Sequence, residues 1–385
     1  MTEATGTRPD PRSLAAAQLR VAELVAEDGA ASREAPRVGR VVLGLALGAA
    51  AFVLAASVVR AQLVDAYPGG AFDPATVEAA KARALADVAD EVDTVFVGTS
   101  RVLNHFDADL FDATLREQGI SARSFNLGLA GMRHPESMYV AERLLEREDL
   151  RLRTLFVEVL GELVHSQVGA LHEEGIFTRR AVEWHDWERT RLVAAAAMGS
   201  ELDWRERLAA VGVHAHHFAL RAVSLGAGLG PLQRLVEPAP TAGADFQWNG
   251  FLPIEADPNA RRIAPVRIAA RLREELAEMR WTPDVPPPPL LARSFERLAS
   301  KAEAAGVQVV FVVFPPHFRG DVESYGADHP QGLPVLFDYR SPTRYPEFYD
   351  PAVFHNFGHY SAAGARAVTR RLAADYAAWL ASRGN

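Results

Sequence analysis

The chain has 385 residues, 49% of them hydrophobic and 23% charged, with a formal net charge of −8 and no cysteine. Disulfides, thiolate metal sites, iron–sulfur clusters and cysteine nucleophiles are thereby excluded. The acidic balance disfavours a nucleic-acid partner, and the apolar fraction is that of a globular chain.

Residues 1–40 are rich in Ala, Glu and Arg and read as a cytoplasmic tail. From Val41 to Val59 the sequence is VVLGLALGAAAFVLAASVV, closed by Arg40 and Arg60, with Ser57 as its one polar side chain. About 20 helical residues cross the hydrocarbon core of a bilayer. A soluble helix of this length would carry a polar stripe, and the leader before it is too long for a cleaved signal peptide. Residues 41–59 are therefore expected to be a retained transmembrane helix with the lipid bilayer as partner. Arg33, Arg37 and Arg40 precede the span, and only Arg60 follows it closely. The positive-inside rule then puts the N-terminus in the cytoplasm and residues 60–385 outside.

Residues 60–90 read as a linker, ending in YPGGAFD, and a helix over Pro74–Asp90 capped by Asp73. Strands and helices alternate from residue 91 to 383. Short β-branched runs predict strands at Thr94–Val97, Ser124–Leu127, Leu155–Leu160 and Val307–Phe314; helical periods cover Pro135–Arg147, Leu290–Ala305 and Ser361–Ser382. Continuous apolar strands in this order imply a parallel sheet sandwiched by helices, an α/β fold. The stretch at about 161–289 holds most of the tryptophans and little strand signal, and reads as a mostly helical insertion re-entering through Pro286–Pro289.

Three features sit where strands end. Gly98-Thr99-Ser100-Arg101 follows the first strand, where open parallel sheets bind ligands and a serine hydroxyl faces the crevice. The same pattern also suits a turn serine capping the next helix. Asn126-Leu127-Gly128-Leu129-Ala130-Gly131 closes the second strand, and a glycine there can aim its N–H at an oxyanion. His355-Asn356-Phe357-Gly358-His359 precedes the last helix and offers a general base.

In order and spacing, Ser100, Gly128 and His359 resemble the three blocks of the SGNH/GDSL hydrolase superfamily. The Gly-Thr-Ser-Arg and Phe-Asn-Leu-Gly variants look most like its membrane-anchored branch, which includes proteins of alginate O-acetylation and teichoic-acid D-alanylation. The resemblance covers about 92–160 and 290–380 and implies a flavodoxin-like sheet. It also implies Ser100 as nucleophile, His359 as base, oxyanion donors near Ser100 and Gly128, and no cofactor. Two positions depart from the family. Its triad aspartate falls at Asn356, with Asp350 upstream as a substitute acid; its third-block asparagine is absent from Phe156-Val157-Glu158-Val159, with Arg101 as substitute positive charge. The implied activity is that of an O-acyl esterase or acyltransferase on envelope polysaccharide, with an acyl donor or a membrane-bound O-acyltransferase as partner. The alternative is a catalytically inactive scaffold binding glycan or such an acyltransferase.

Other residues point to no separate chemistry. His214-x-His216-His217 has the apolar neighbours Val211, Val213, Phe218 and Leu220 and reads as a partly buried helix, not a metal site. His165, His172 and His185 lack ligand spacing, His317 reads as a turn residue and Glu173-Glu174 as a solvated face. The Gly226–Gly230 run lacks a phosphate-binding context.

Overall fold

A computed structural model describes residues 20, 23, 38–58, 77–159, 179–200, 202–223, 247–256, 260–278, 280–282, 289–315, 321–323 and 335–383. Most of the tail, the linker with Asp73, His165, His172, Glu173-Glu174, Gly226–Gly230, most of Pro286–Pro289 and His317 lie outside the described residues. The chain divides into two units, Met1–Val58 and Val59–Asn385.

The first unit contains helix α1 (Val38–Val58), 21 residues with no side chain buried by protein. It starts three residues before the expected span. At 1.5 Å per residue it is about 32 Å long, and beyond Arg40 in its first turn it is apolar all round. Ser57 Oγ donates to the Val53 carbonyl at 2.7 Å, so the one polar side chain after Arg40 is satisfied within the helix. The helix is long and apolar enough to cross a membrane.

The second unit runs α2 (Val77–Asp87), β1 (Thr94–Gly98), α3 (Ser100–His105), α4 (Ala108–Glu117), β2 (Ser124–Gly128), α5 (Glu136–Leu145) and β3 (Thr154–Glu158). A helical stretch follows: α6 (Arg179–Trp184), α7 (Trp187–Gly199), α8 (Trp204–Ala222) and α9 (Pro265–Glu278). Then come β4 (Arg280–Thr282), α10 (Pro289–Ala304), β5 (Gln308–Val313), β6 (Asp321–Glu323), β7 (Leu336–Asp338), β8 (Phe354–Asn356), β9 (His359–Tyr360) and α11 (Ala362–Arg383).

Five strands form one parallel sheet in the order β2-β1-β3-β5-β7, with helices around it. Side chains alternate between its two faces. Val95 and Val97 join Leu85, Val140, Leu144, Phe295 and Leu298 on one face. Phe96, Phe156 and Val310 join Phe106, Phe111, Val368, Leu372 and Tyr376 on the other. Aromatic stacking centres the second layer: the Phe96 and Phe156 rings lie 4.3 Å apart, with Phe111 edge-on to both. The three-residue β7 is too short to show a pattern in sequence; it is held by Phe311 N–H on the Val335 carbonyl and Tyr339 N–H on the Val313 carbonyl. Within the stretch expected to be helical, Arg280-Trp281-Thr282 instead pairs with β6 as a small second sheet, as β-prone Trp and Thr allow.

β1 lies between β2 and β3, so the chain leaves it in opposite directions and opens a crevice beyond its carboxyl end. The helix that begins there, α3, presses against β2. A Cβ on Gly128 would stand 2.2 Å from the Leu103 nitrogen, so only glycine allows this approach. Gly128→Ala should therefore cost about 1–3 kcal/mol through overpacking, read as a lower urea midpoint at unchanged slope. An unchanged midpoint would mean that α3 does not sit this close.

Candidate active site

Ser100 is the first residue of α3. The capping role that the sequence left open for it belongs to Thr99, whose Oγ1 accepts from Arg101 N–H at 3.1 Å. Ser100 keeps its hydroxyl for another partner, and that partner is His359: Oγ and Nε2 are 2.8 Å apart across 259 residues of sequence. His359 opens β9, which pairs antiparallel with β8. Asn356, the last residue of β8, turns its side chain into the loop between them.

The Asn356 carboxamide fixes the imidazole tautomer. Its Oδ1 accepts from Gly358 N–H at 2.8 Å, which requires oxygen at that position, and the same oxygen lies 3.1 Å from His359 Nδ1. The hydrogen-bond network thus assigns the proton to Nδ1 and leaves Nε2 with a lone pair for Ser100 Oγ–H. An asparagine beside a catalytic histidine is damaging when it enforces the opposite tautomer; the Gly358 N–H prevents that here. Asn356 supplies orientation without charge.

Asp350 does not stand in this line. Its carboxylate accepts from Ala352 N–H at 2.9 Å and caps the short 3₁₀ turn Pro351–Val353. Asp followed by Pro at a helical start favours that capping geometry, so the expectation of Asp350 as substitute acid is corrected: Asn356 meets Nδ1. Gly128 also differs from expectation. β2 extends through it, and its N–H donates to its neighbour's side chain, Asn126 Oδ1, at 2.9 Å, so this donor is committed inside the strand instead of to an oxyanion. Arg101 is buried, and its charge acts on Glu158.

Four residues that sequence reasoning passed over support the site. Glu158, at the end of β3, accepts from Thr99 N–H at 2.6 Å through Oε2 and so holds the turn just before Ser100. Burial pushes its carboxyl up, against the opposing pull of Arg101 and the Thr99 hydrogen bond. His105 Nε2 accepts from Tyr360 N–H at 2.9 Å, so the residue after the candidate base is fixed to the end of α3. Asn126 and Lys81 brace α3 from behind: Asn126 Nδ2 donates to the carbonyls of Val102 and Phe106 at 2.6 and 2.7 Å, and the fully buried Lys81 ammonium donates to those of Asn126 and Gly128 at 2.8 and 2.7 Å. No pattern in the sequence marks Lys81; Glu158 stood at a strand end, where a site residue is expected.

The loop at 247–256 reaches the same region. Asn104 Nδ2 donates to the Leu252 carbonyl, and Glu255 Oε1 accepts from Ala362 N–H at the start of α11. Gly250, at φ +82°, comes so close to β2 that a Cβ would meet the Asn126 carbonyl.

Among the described residues no group of His, Asp and Glu has the arrangement of a metal site. His214 and His217 are buried on α8 and His216 is exposed. His185 Nε2 and His214 Nδ1 are 2.8 Å apart, and burial pushes the two imidazoles down to about 3 and about 4, so they are neutral core side chains near pH 7.

No protein-family model matches the chain, and no curated protein matches it.

The geometry separates Asn356 from Asp350. In a time course with a fluorophosphonate probe, Asn356→Ala should slow labelling at Ser100 by about tenfold or more. Asn356→Asp should speed it, because the carboxylate adds charge stabilisation of the imidazolium to a ring already held in the correct tautomer. Asp350→Ala should stay within about twofold of wild type, as expected of an exposed turn cap. Equal losses for Asp350→Ala and Asn356→Ala would overturn the assignment of the Nδ1 partner.

Proposed function

We propose that the protein is a membrane-anchored O-acyl esterase or acyltransferase of the SGNH/GDSL type, acting on cell-envelope carbohydrate outside the cytoplasm. The observation that carries this reading is the 2.8 Å contact between Ser100 Oγ and His359 Nε2, with the imidazole in the tautomer a general base needs. The site's place beyond the carboxyl end of a parallel strand, α1 with its asymmetric arginines, and the order of the three sequence blocks support it.

In this mechanism Ser100 Oγ attacks the acyl carbonyl while His359 Nε2 takes its proton. The tetrahedral intermediate collapses as the imidazolium returns that proton to the departing oxygen, leaving an acyl-serine. Water or a carbohydrate hydroxyl then attacks the acyl carbonyl, with His359 again as base, and Ser100 is released. Nδ1–H on Asn356 Oδ1 keeps the ring aligned through both halves. Backbone donors at the start of α3, beginning with Ser100 N–H, would receive the oxyanion, and Arg101 adds positive charge nearby.

The second reading is a scaffold that binds glycan or a membrane acyltransferase without turnover. It is favoured by the commitment of Gly128 N–H to Asn126 and by a neutral residue on His359 Nδ1.

Labelling by a serine-directed fluorophosphonate decides between the two. Wild type should label, Ser100→Ala should not, and His359→Ala should label at least about tenfold more slowly, because an unassisted hydroxyl is a poor nucleophile. Ser100→Ala should leave the melting temperature within a few degrees, since only one half-buried hydroxyl is lost. A wild-type protein that never labels, together with an intact cellular role for Ser100→Ala, would select the scaffold. Topology has its own check: a reporter active only after export, fused after Asn385, should be active. Activity of a cytoplasm-only reporter at that position would reverse the orientation and remove an envelope substrate.

A further inference from the structure

Beyond α1, the large apolar side chains left exposed among the described residues are Trp187, Met198, Trp204, Leu208, Trp248 and Val266. Four of these six lie on one hairpin, formed by α7 and α8. Trp248 has a cover of its own, since the Arg123 guanidinium lies 3.7 Å over its ring. The hairpin tip stays open, with Arg205 5.2 Å over the Trp204 ring: Trp204 is 65% exposed, Leu208 55% and Met198 50%. Trp204 and Leu208 are i and i+4 on α8 and share a face. Arg207 ties the end of α7 to the start of α8, its Nε donating to the Leu202 carbonyl and its Nη1 to that of Met198, so the exposed Met198 belongs to the same tip.

The start of α8 is fully capped. α8 opens with a full capping box, in which Asp203 accepts from the backbone of Arg205 and Glu206 while Glu206 reaches back to Asp203 N–H. Trp204 is thus held in an ordered first turn. The exposed face continues along α8 through Gly212, Ala215, Ala219 and Ala222, while the opposite face buries His214 and His217. The exposed side of the helix, which also carries Arg205, Glu206 and His216, therefore holds an apolar stripe that is bulky at the tip and small behind it.

We propose that the α7–α8 tip docks into the interfacial layer of a lipid bilayer, the one that α1 crosses; this rests on the reading of α1 as a membrane anchor. Three observations favour a bilayer over a protein partner. Only residues 59–76 separate α1 from α2 in sequence, and 18 residues span at most about 65 Å when extended, so the domain is tethered to the bilayer that α1 crosses and a contact with it is intramolecular. The residue types are those of an interface: indole is favoured at headgroup depth, and arginine stems lie along apolar surface while the charge stays in water. The exposed Arg205 lies over the Trp204 ring, placed to meet lipid phosphates, while Arg207 is spent on the carbonyls of Leu202 and Met198. The bulky part of the stripe is only three side chains, well short of the about 800 Å² per partner that a stable protein interface buries. A patch that small suits a tethered, shallow contact.

The cysteine-free chain allows a direct test. Full-length protein is reconstituted in phosphatidylcholine/phosphatidylglycerol vesicles with one environment-sensitive fluorophore on an introduced cysteine. The sites are Leu208→Cys at the tip, Ala50→Cys in α1, and Arg116→Cys on exposed α4 as the water reference. Quenching is measured with doxyl-labelled lipid and with aqueous iodide. The Leu208 label should be quenched by lipid at least about twice as strongly as the Arg116 label and should be shielded from iodide. A Trp204→Ser, Met198→Ser background with an unchanged circular-dichroism spectrum should abolish that difference. A Leu208 label as open to iodide as that at Arg116, with the Ala50 label still quenched by lipid, would overturn the docking and leave the anchor standing. An Ala50 label that lipid does not quench would overturn the anchor and the docking with it. A Leu208 label shielded from both quenchers, increasingly so at higher protein density, would overturn the bilayer in favour of a second copy of the chain.

Discussion

A six-residue helix has no stability of its own, yet the candidate nucleophile stands on one. The carboxamide of Asn126 makes α3 possible. From inside the sheet its nitrogen binds the Phe106 carbonyl at the end of the helix and adds a second donor to that of Val102, which also accepts from Phe106 N–H, and its oxygen holds Gly128 N–H. Each of these groups would be costly to bury unpaired. Lys81 adds a buried ammonium whose charge is spread over the carbonyls of Asn126 and Gly128. The missing Cβ of Gly128 lets the helix come near enough for any of this. Ser100 is placed from behind, by the far end of its own helix, and Glu158 completes the placement from the front through Thr99 N–H.

The two imidazoles that meet near α3 divide the labour. His105 spends Nε2 on Tyr360 N–H, which binds β9 to α3 and carries no chemistry. Its neighbour His359, with ring centres 5.8 Å apart, keeps Nε2 for Ser100. In each ring one backbone group determines the proton's place: Tyr360 N–H directly for His105, and Gly358 N–H through Asn356 for His359. Orientation is well supplied and charge is scarce. A neutral amide can hold an imidazole but does little for an imidazolium, so turnover would depend on how well other groups steady the positive ring.

The strands of the sheet centre were legible because buried parallel strands are written as β-branched, apolar runs, as in Thr94–Gly98 and Gln308–Val313. Ser100, Asn356 and His359 were legible because each sits at a strand end or helix start, where local sequence gives position. Direction was harder to read. Asp350 and Gly128 lie close to the site in sequence, but capping chemistry turns one into its own backbone and ladder pairing keeps the other in β2. Lys81 gave no signal, since a lysine in an alanine-rich amphipathic helix ordinarily faces water. Glu158 was visible only as the absence of an asparagine; its role depends on Gly98, whose missing side chain makes room for it. The strands β4, β6 and β7 have three residues each, too few for any periodicity.

The sequence separation of 259 between Ser100 and His359 also sets an order of events. A contact of such high sequence separation carries a large loop-closure cost and forms only once most of the intervening chain has settled. Ser100 leaves the ribosome well before His359, so a nascent chain, or one cut ahead of β9, holds the serine hydroxyl without the imidazole that meets it in the folded protein. The proposed reactivity would then be latent in every product that lacks β9, because it is written into the distance between the halves of the site.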